Sequence, residues 1–169
     1  MLVVFAGLPG AGKTTVARAV VARRRAAYIR VDAIEQAMRS AGVLAGAGDV
    51  GPAGYMAAYA LAGANLRLGR AVVADCVNPV TATRAAWREV AAPGPILEVE
   101  VVCSDAAEHR RRVETRVSDV PGLVPPTWKA VSRHRWYERW TELRLVVDTA
   151  ALSAEDAASR ICDEIAAGR

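Results

Sequence analysis

The sequence predicts an α/β protein, a parallel sheet with helices on both faces. Three observations lead there. Short runs rich in Val, Ile and Leu recur along the chain, as fully buried parallel strands require. Between them the apolar residues recur at helical spacing. A glycine-rich turn, "GLPGAGKTT", stands between the first such run and the first helical pattern. This alternation places the strands in one sheet.

Taken in order, the strand candidates are residues 2–6, 27–31, 71–74, 96–102 and 143–147. Helical patterns cover residues 14–25, 33–39, 54–68, 80–92, 105–117, 127–140 and 154–167. Arg23, Arg24 and Arg25 cluster at the end of the first helix, where cations suit the helix dipole. Ser153 with Asp156 reads as a capping box for the last. No repeat or long linker divides the 169 residues, so a single domain over 1–169 is expected. Residues 40–54 are glycine-rich and residues 118–127 proline-rich. Both read as surface loops or as lids.

The first turn carries chemistry. From Gly7 to Thr14 the spacing is Gly-x-x-x-x-Gly-Lys-Thr, between a strand and a helix. Glycines let successive N–H groups converge on one anion, and the helix N-terminus adds a positive dipole end. Lys13 then reaches the β- and γ-phosphates, and the Thr14 hydroxyl suits magnesium. The predicted nucleotide site comprises Gly7, Leu8, Pro9, Gly10, Ala11, Gly12, Lys13, Thr14 and Thr15.

Composition narrows the classes. No apolar stretch approaches membrane-spanning length, and residues 2–6 are too short for a signal peptide. Cys76, Cys103 and Cys162 lack metal spacing and read as reduced thiols, which suits a cytoplasmic protein. A net charge of +4 favours anionic ligands but is too small to imply nucleic acid. Composition leaves the oligomeric state open.

In a sheet of this kind ligands gather at the carboxyl ends of strands. Asp32, Asp75, Asp148 and Thr149 fall at such ends, and arginines crowd the helix after the fourth strand.

The segments "GLPGAGKTT", "RVDAI", "VVADCVNPVTATRAAWREV", "VVCSDAAEHRRRVETR" and "RLVVDTA" occur in the order found in small P-loop kinases, and the chain resembles that family over nearly its whole length. The group includes gluconate kinases, chloramphenicol phosphotransferase, zeta-toxin-like kinases and polynucleotide kinase domains. The resemblance implies a P-loop NTPase fold: a five-stranded sheet in the order 2-3-1-4-5, with an arginine-bearing lid around residues 105–127. It also implies transfer of the γ-phosphate of ATP, with GTP as a possible donor, to a hydroxyl.

On this resemblance Asp32 looks like the acidic residue that orients or deprotonates the acceptor hydroxyl. A helix cap is its structural alternative, and the two roles can coexist. Asp75 looks like the carboxylate that orients magnesium waters, so Thr14 and Asp75 are the expected metal residues. Arg110, Arg111, Arg112 and Arg116 look like lid arginines. Arg112 and Arg116, four apart, are the expected pair on phosphate, and Arg112 joins the nucleotide site. A buried stripe of Ala106, Val113 and Val117 is expected on the same helix. Arg84 resembles an anion-binding arginine. The expected acceptor site is Asp32, Glu35, Arg39, Tyr55, Tyr59, Asn78 and Arg84, although Tyr55 and Tyr59 suit core packing equally well. Trp87 reads as core, His109 and His134 as surface residues, and Trp128, Trp136, Tyr137 and Trp140 as packing around one helix.

Rival classes fare less well. A GTP switch needs Asn-Lys-x-Asp, which is absent; "DVPG" at residues 119–122 follows no strand and reads as chance. An oligomeric remodelling ATPase would require a longer chain. A polynucleotide 5'-hydroxyl kinase would require a basic groove, yet residues 40–63 carry no Lys or Arg. A non-catalytic nucleotide sensor is the remaining alternative. The expected partners are therefore a nucleotide and a small hydroxyl-bearing substrate: a sugar acid, a nucleoside or an antibiotic.

Overall fold

The computed structural model describes residues 1–42, 50–133 and 137–168. Five strands form one sheet: β1 (Leu2–Ala6), β2 (Ala27–Arg30), β3 (Val72–Asp75), β4 (Ile96–Val102) and β5 (Leu145–Asp148). Their order is β2-β3-β1-β4-β5, and every pairing is parallel. The helices among the described residues are α1 (Lys13–Arg24), α2 (Val31–Ser40), α3 (Ala53–Arg67), α4 (Thr81–Ala91), α5 (Ala106–Thr115), α6 (Trp128–Ser132) and α7 (Ala154–Ala166). Arrangement and order match the sequence expectation.

β1 is the central strand and is buried throughout, so its residues feed two cores. Val3 and Phe5 pack with Val16 and Val20 of α1 and Ile161 of α7. Leu2 and Val4 pack on the other side with Ala58 and Ala62 of α3 and Trp87 of α4. Strand alternation produces this division, and each such side chain fully buried contributes roughly 1.5–3 kcal/mol. The small Ala residues on α1, α3 and α7 let these helices approach the sheet closely.

Several boundaries depart from expectation. β2 stops at Arg30, and Val31 already begins α2. Arg30 is therefore the N-cap, with an extended φ of −114°. Asp32 lies inside the first turn and is not the N-cap; there its carboxylate complements the positive end of the helix dipole. The expected helix over residues 127–140 is short. Thr127 caps α6 through a bond from the Ala130 N–H, and the helix ends at Ser132. Beyond the undescribed residues 134–136, the Glu138 and Arg139 carbonyls turn to the Arg84 guanidinium instead of to a helical N–H. Residues 43–49, the middle of the expected glycine-rich loop or lid over 40–54, also lie outside the described residues. His134 and Trp136 fall there too.

Candidate active site

The phosphate cradle follows from two backbone demands. Gly7 has φ +132°, and a Cβ there would lie 2.2 Å from the Val101 carbonyl oxygen. Gly12, just before α1, has φ +92°. Other residues would strain both positions. Lys13 opens α1 nearly buried, its Nζ donating across the loop to the Leu8 carbonyl at 3.0 Å. Burial lowers its pKa, while Asp75 and Asp32 act in the opposite sense.

Asp75 ends β3 and is 3% exposed. One of its oxygens accepts from both the Thr14 hydroxyl and the Tyr28 phenol, each at 2.7 Å. Burial and then the Asp75 charge push the Tyr28 pKa up, so the phenol keeps the proton it donates.

Lys13, Thr14 and Asp75 border a cavity of about 550 Å³. It brings together Pro9, Gly10, Gly12, Lys13, Thr14 and Thr15 from the cradle with Asp32, Asp75, Arg112 and Arg116. Asp32 is paired only with Arg30, at 3.7 Å, among the described residues. Arg116 has no ion-pair partner among them and lies near enough to Lys13 to lower its pKa.

Other expected site residues are elsewhere. Gly7, Leu8 and Ala11 line a separate hollow behind the loop. Arg84 is fully buried; it donates to the carbonyls of Asn78, Pro79, Glu138 and Arg139 and stacks 4.0 Å over Trp140. Its role here is structural, because no face of the guanidinium is left for a ligand. Tyr55 accepts from the Asn78 N–H, Tyr59 donates to the Thr83 carbonyl, and both rings pack on the core beside Trp87. Asn78 is completely buried and does not line the cavity. Glu35 and Arg39 pair with each other at 3.4 Å, also away from it.

Helix α5 is tied to the cradle. Asp105 caps α5 by accepting from the Ala107 and Glu108 N–H groups. His109, expected at the surface, is 8% exposed, and its Nε2–H donates to the Pro9 carbonyl at 2.8 Å. Its ring meets Trp128 edge-on at 5.3 Å. His109 and Val113 form the buried stripe; α5 ends at Thr115 and Arg116 is extended, so Val117 leaves the face and is 91% exposed. Arg112 donates to the Thr149 hydroxyl at 2.7 Å and to its carbonyl. That hydroxyl also bonds the Ala11 and Val102 carbonyls. Arg111 and Arg112 both bond Glu108, and this holds its pKa down at about 2.

Sequence reasoning missed three charged residues of the cavity: Arg18, Arg30 and Asp119. Arg18 follows Thr14 by one helical turn, a usable signal. Arg30 is a charge ending an otherwise apolar strand, another. Asp119 lies in the loop read as chance, and only the folded chain shows that it pairs with both arginines.

A five-stranded parallel sheet in this order, with a glycine cradle opening α1, defines a P-loop NTPase fold of the small-kinase type. The AAA domain family model AAA_33 matches residues 2–133, and the chain belongs to that family. Among curated proteins none matches the sequence. Solved structures with the same fold include a gluconokinase from Sinorhizobium meliloti 1021, at 21% identity and TM-score 0.64, covering 97% of this chain and 94% of that one. Kti12 of Chaetomium thermophilum, in complex with ADP-AlF3, matches at 24% identity and TM-score 0.71, covering 98% and 97%. The APS kinase CysC of Mycobacterium tuberculosis, in complex with AMPPNP and APS, matches at 19% identity and TM-score 0.65, covering 98% and 96%. No helix among the described residues is long and apolar enough to cross a membrane.

Proposed function

We propose that this protein is an ATP-dependent phosphotransferase that moves the γ-phosphate to a hydroxyl of a small acceptor. One observation carries the reading. Asp32 shares the cavity with Lys13, Thr14 and Asp75, yet its carboxylate accepts no hydrogen bond among the described residues. A carboxylate left open beside a phosphate cradle suits an acceptor hydroxyl, whose proton it can take. A nucleotide sensor has no need of it.

In the reaction the acceptor oxygen forms a bond to the γ-phosphorus, the bond from that phosphorus to the β–γ bridging oxygen breaks, and ADP leaves. The hydroxyl proton passes to Asp32. Lys13 holds the terminal phosphates, and Arg112 and Arg116 face the charge that spreads over the phosphoryl oxygens.

The Thr14 hydroxyl and Asp75 carboxylate, 2.7 Å apart, are hard oxygen donors that fit magnesium. Thr14 would ligate the ion and Asp75 would orient its waters. Magnesium supplies neutralisation of the phosphate charge. Among the described residues no cluster of three or more His, Cys, Asp or Glu could hold a metal by itself, which agrees with an ion that arrives with the nucleotide.

The APS kinase, solved with a nucleotide analogue and APS, supports a site for two small ligands. The missing Asn-Lys-x-Asp element favours ATP over GTP. The test is a screen of hydroxyl compounds with magnesium and γ-labelled ATP. Label transferred to an acceptor by this protein, and not by Asp32→Asn, supports the reading; nucleotide binding with no acceptor phosphorylated anywhere in the screen favours a sensor.

A further inference from the structure

The acceptor side of the cavity holds a cation with donors to spare. Arg30 is 6% exposed, ends β2 and lines the cavity beside Asp32. Its Nε and Nη2 have no hydrogen-bond partner among the described residues. A buried guanidinium that lacks partners is costly, so such a residue is expected to meet a ligand.

Three carboxylates surround it, and they are not equivalent. The Asp75 oxygen nearest Arg30 already serves Thr14 and Tyr28, and stands 4.0 Å from Nε. Asp32 stands at 3.7 Å from Nη2. Both exceed hydrogen-bond length. Among the described residues only Asp119 bonds Arg30, at 2.7 Å from Nη1, and it also pairs with Arg18 of α1. Asp119 belongs to the proline-rich loop, and its side chain is 42% exposed. Thus the strongest partner of Arg30 sits on the least buried of the three. One carboxylate is clamped between two arginines from two elements, within a cavity with room for a second ligand.

We propose that the phosphoryl acceptor carries an oxyanion, a carboxylate or phosphate ester, that binds Arg30 and Arg18 in the place now taken by the Asp119 carboxylate. The inference rests on the phosphotransferase reading for the word acceptor, but not for the anion site itself. Asp119 is a built-in stand-in for that group. Its departure frees the Arg30 Nη1 and the Arg18 Nη2 that now hold it, with the unbonded Nη2 of Arg30 adjacent, while Asp32 remains beside the acceptor hydroxyl. A carboxylate or phosphate matches this planar fork with paired hydrogen bonds; a neutral polyol does not. The same exchange makes the loop responsive to the acceptor, because the ligand takes the loop's anchor.

The test keeps the cradle out of the measurement. The protein is saturated with ADP and magnesium, and the Arg Nε–H resonances are followed by NMR while sodium phosphate or sodium acetate is added at constant ionic strength. The Arg30 resonance, assigned from Arg30→Lys, should shift with saturation for at least one anion. Asp119→Asn, a change at a partly exposed side chain, should tighten that binding at least threefold. Arg30→Met should abolish it; if Arg30→Met fails to fold, the Asp119→Asn comparison decides alone. An Arg30 resonance that stays unmoved by both anions, or equal affinity in Asp119→Asn and the parent, would overturn the proposal. So would a neutral acceptor from the phosphorylation screen whose KM is unchanged in Arg30→Lys. If anions bind as expected but no compound is phosphorylated, the phosphotransferase reading fails and the anion site stands.

Discussion

The Thr14 hydroxyl donates to the Asp75 carboxylate at 2.7 Å, joining the first turn of α1 to the end of β3 across 61 residues of chain. The bond places a hard oxygen pair at the mouth of the cradle. Asp75→Asn keeps the shape and still accepts from Thr14 and Tyr28, so the fold should persist. The lost charge should raise the magnesium concentration needed for half-maximal transfer about tenfold or more, as P-loop metals depend on this carboxylate. Magnesium titrations of the parent and variant measure it; superimposable curves would remove Asp75 from the metal site.

Lys13 crosses the cradle to the Leu8 carbonyl, a bond that the proposed function has it exchange for phosphate oxygens. Lys13→Ala should abolish transfer and weaken ATP-analogue binding more than ADP binding, because the side chain serves chiefly the terminal phosphates. Calorimetry with both nucleotides tests the order. An equal loss for each would place Lys13 on the inner phosphates alone.

Asp32 lies in the first turn of α2 and bonds no backbone N–H. Asp32→Asn should therefore leave the thermal midpoint nearly unchanged. Transfer should fall by roughly 10²–10⁴-fold as the proton acceptor is lost. Nucleotide affinity should hold. A variant of normal rate would show that the open carboxylate has no part in the chemistry.

Arg84 should report on the scaffold. Arg84→Met strips four carbonyls of their partner. Each buried carbonyl left unsatisfied costs about 1–3 kcal/mol, and chemical denaturation should show a loss of at least that order. A stability within about 0.5 kcal/mol of the parent would mean that water or the backbone re-satisfies those carbonyls.

Asp119 should titrate far below an ordinary aspartate. Bonds from Arg30 first, and from Arg18, hold its pKa down from 3.8 to about 2. A depressed carboxylate stabilises its contacts above the unfolded pKa and loses them as pH falls through the folded one. The Asp119 contact should thus be complete at neutral pH and weaken between about pH 4 and pH 2. Carbon-detected NMR of the side-chain carboxyl measures the midpoint, and Arg18→Gln should raise it. A midpoint near 3.8 in the parent would mean that the arginines do not hold the carboxylate in solution.

The sheet was legible because its strands are apolar runs with one structural meaning here, and the cradle because glycine spacing has few other uses. The α6 region was not. Trp128, Tyr137 and Trp140 fit a helical period, but Arg84 draws the Glu138 and Arg139 carbonyls away from any helix. Pattern reports what a segment can do alone, and a buried guanidinium 54 residues away decides otherwise. Arg84 itself misled for the same reason. Its resemblance to an anion-binding arginine pointed to a ligand, whereas two of its four carbonyl partners, Glu138 and Arg139, come from chain that only folding brings near. His109 gave no signal at all, because a bond to the Pro9 carbonyl spans 100 residues.

The Thr149 hydroxyl gathers the cradle, the end of β4 and helix α5 at one point. The donor half of the cavity is thereby built as a single joint, in which changing one member disturbs the rest. Across the cavity, Asp119 hangs on two arginines and nothing else binds its carboxylate among the described residues. The two halves differ in what they can tolerate over evolutionary time. Substitutions near Asp119 should therefore alter what the cavity admits on that side while leaving the joint around Thr149 intact.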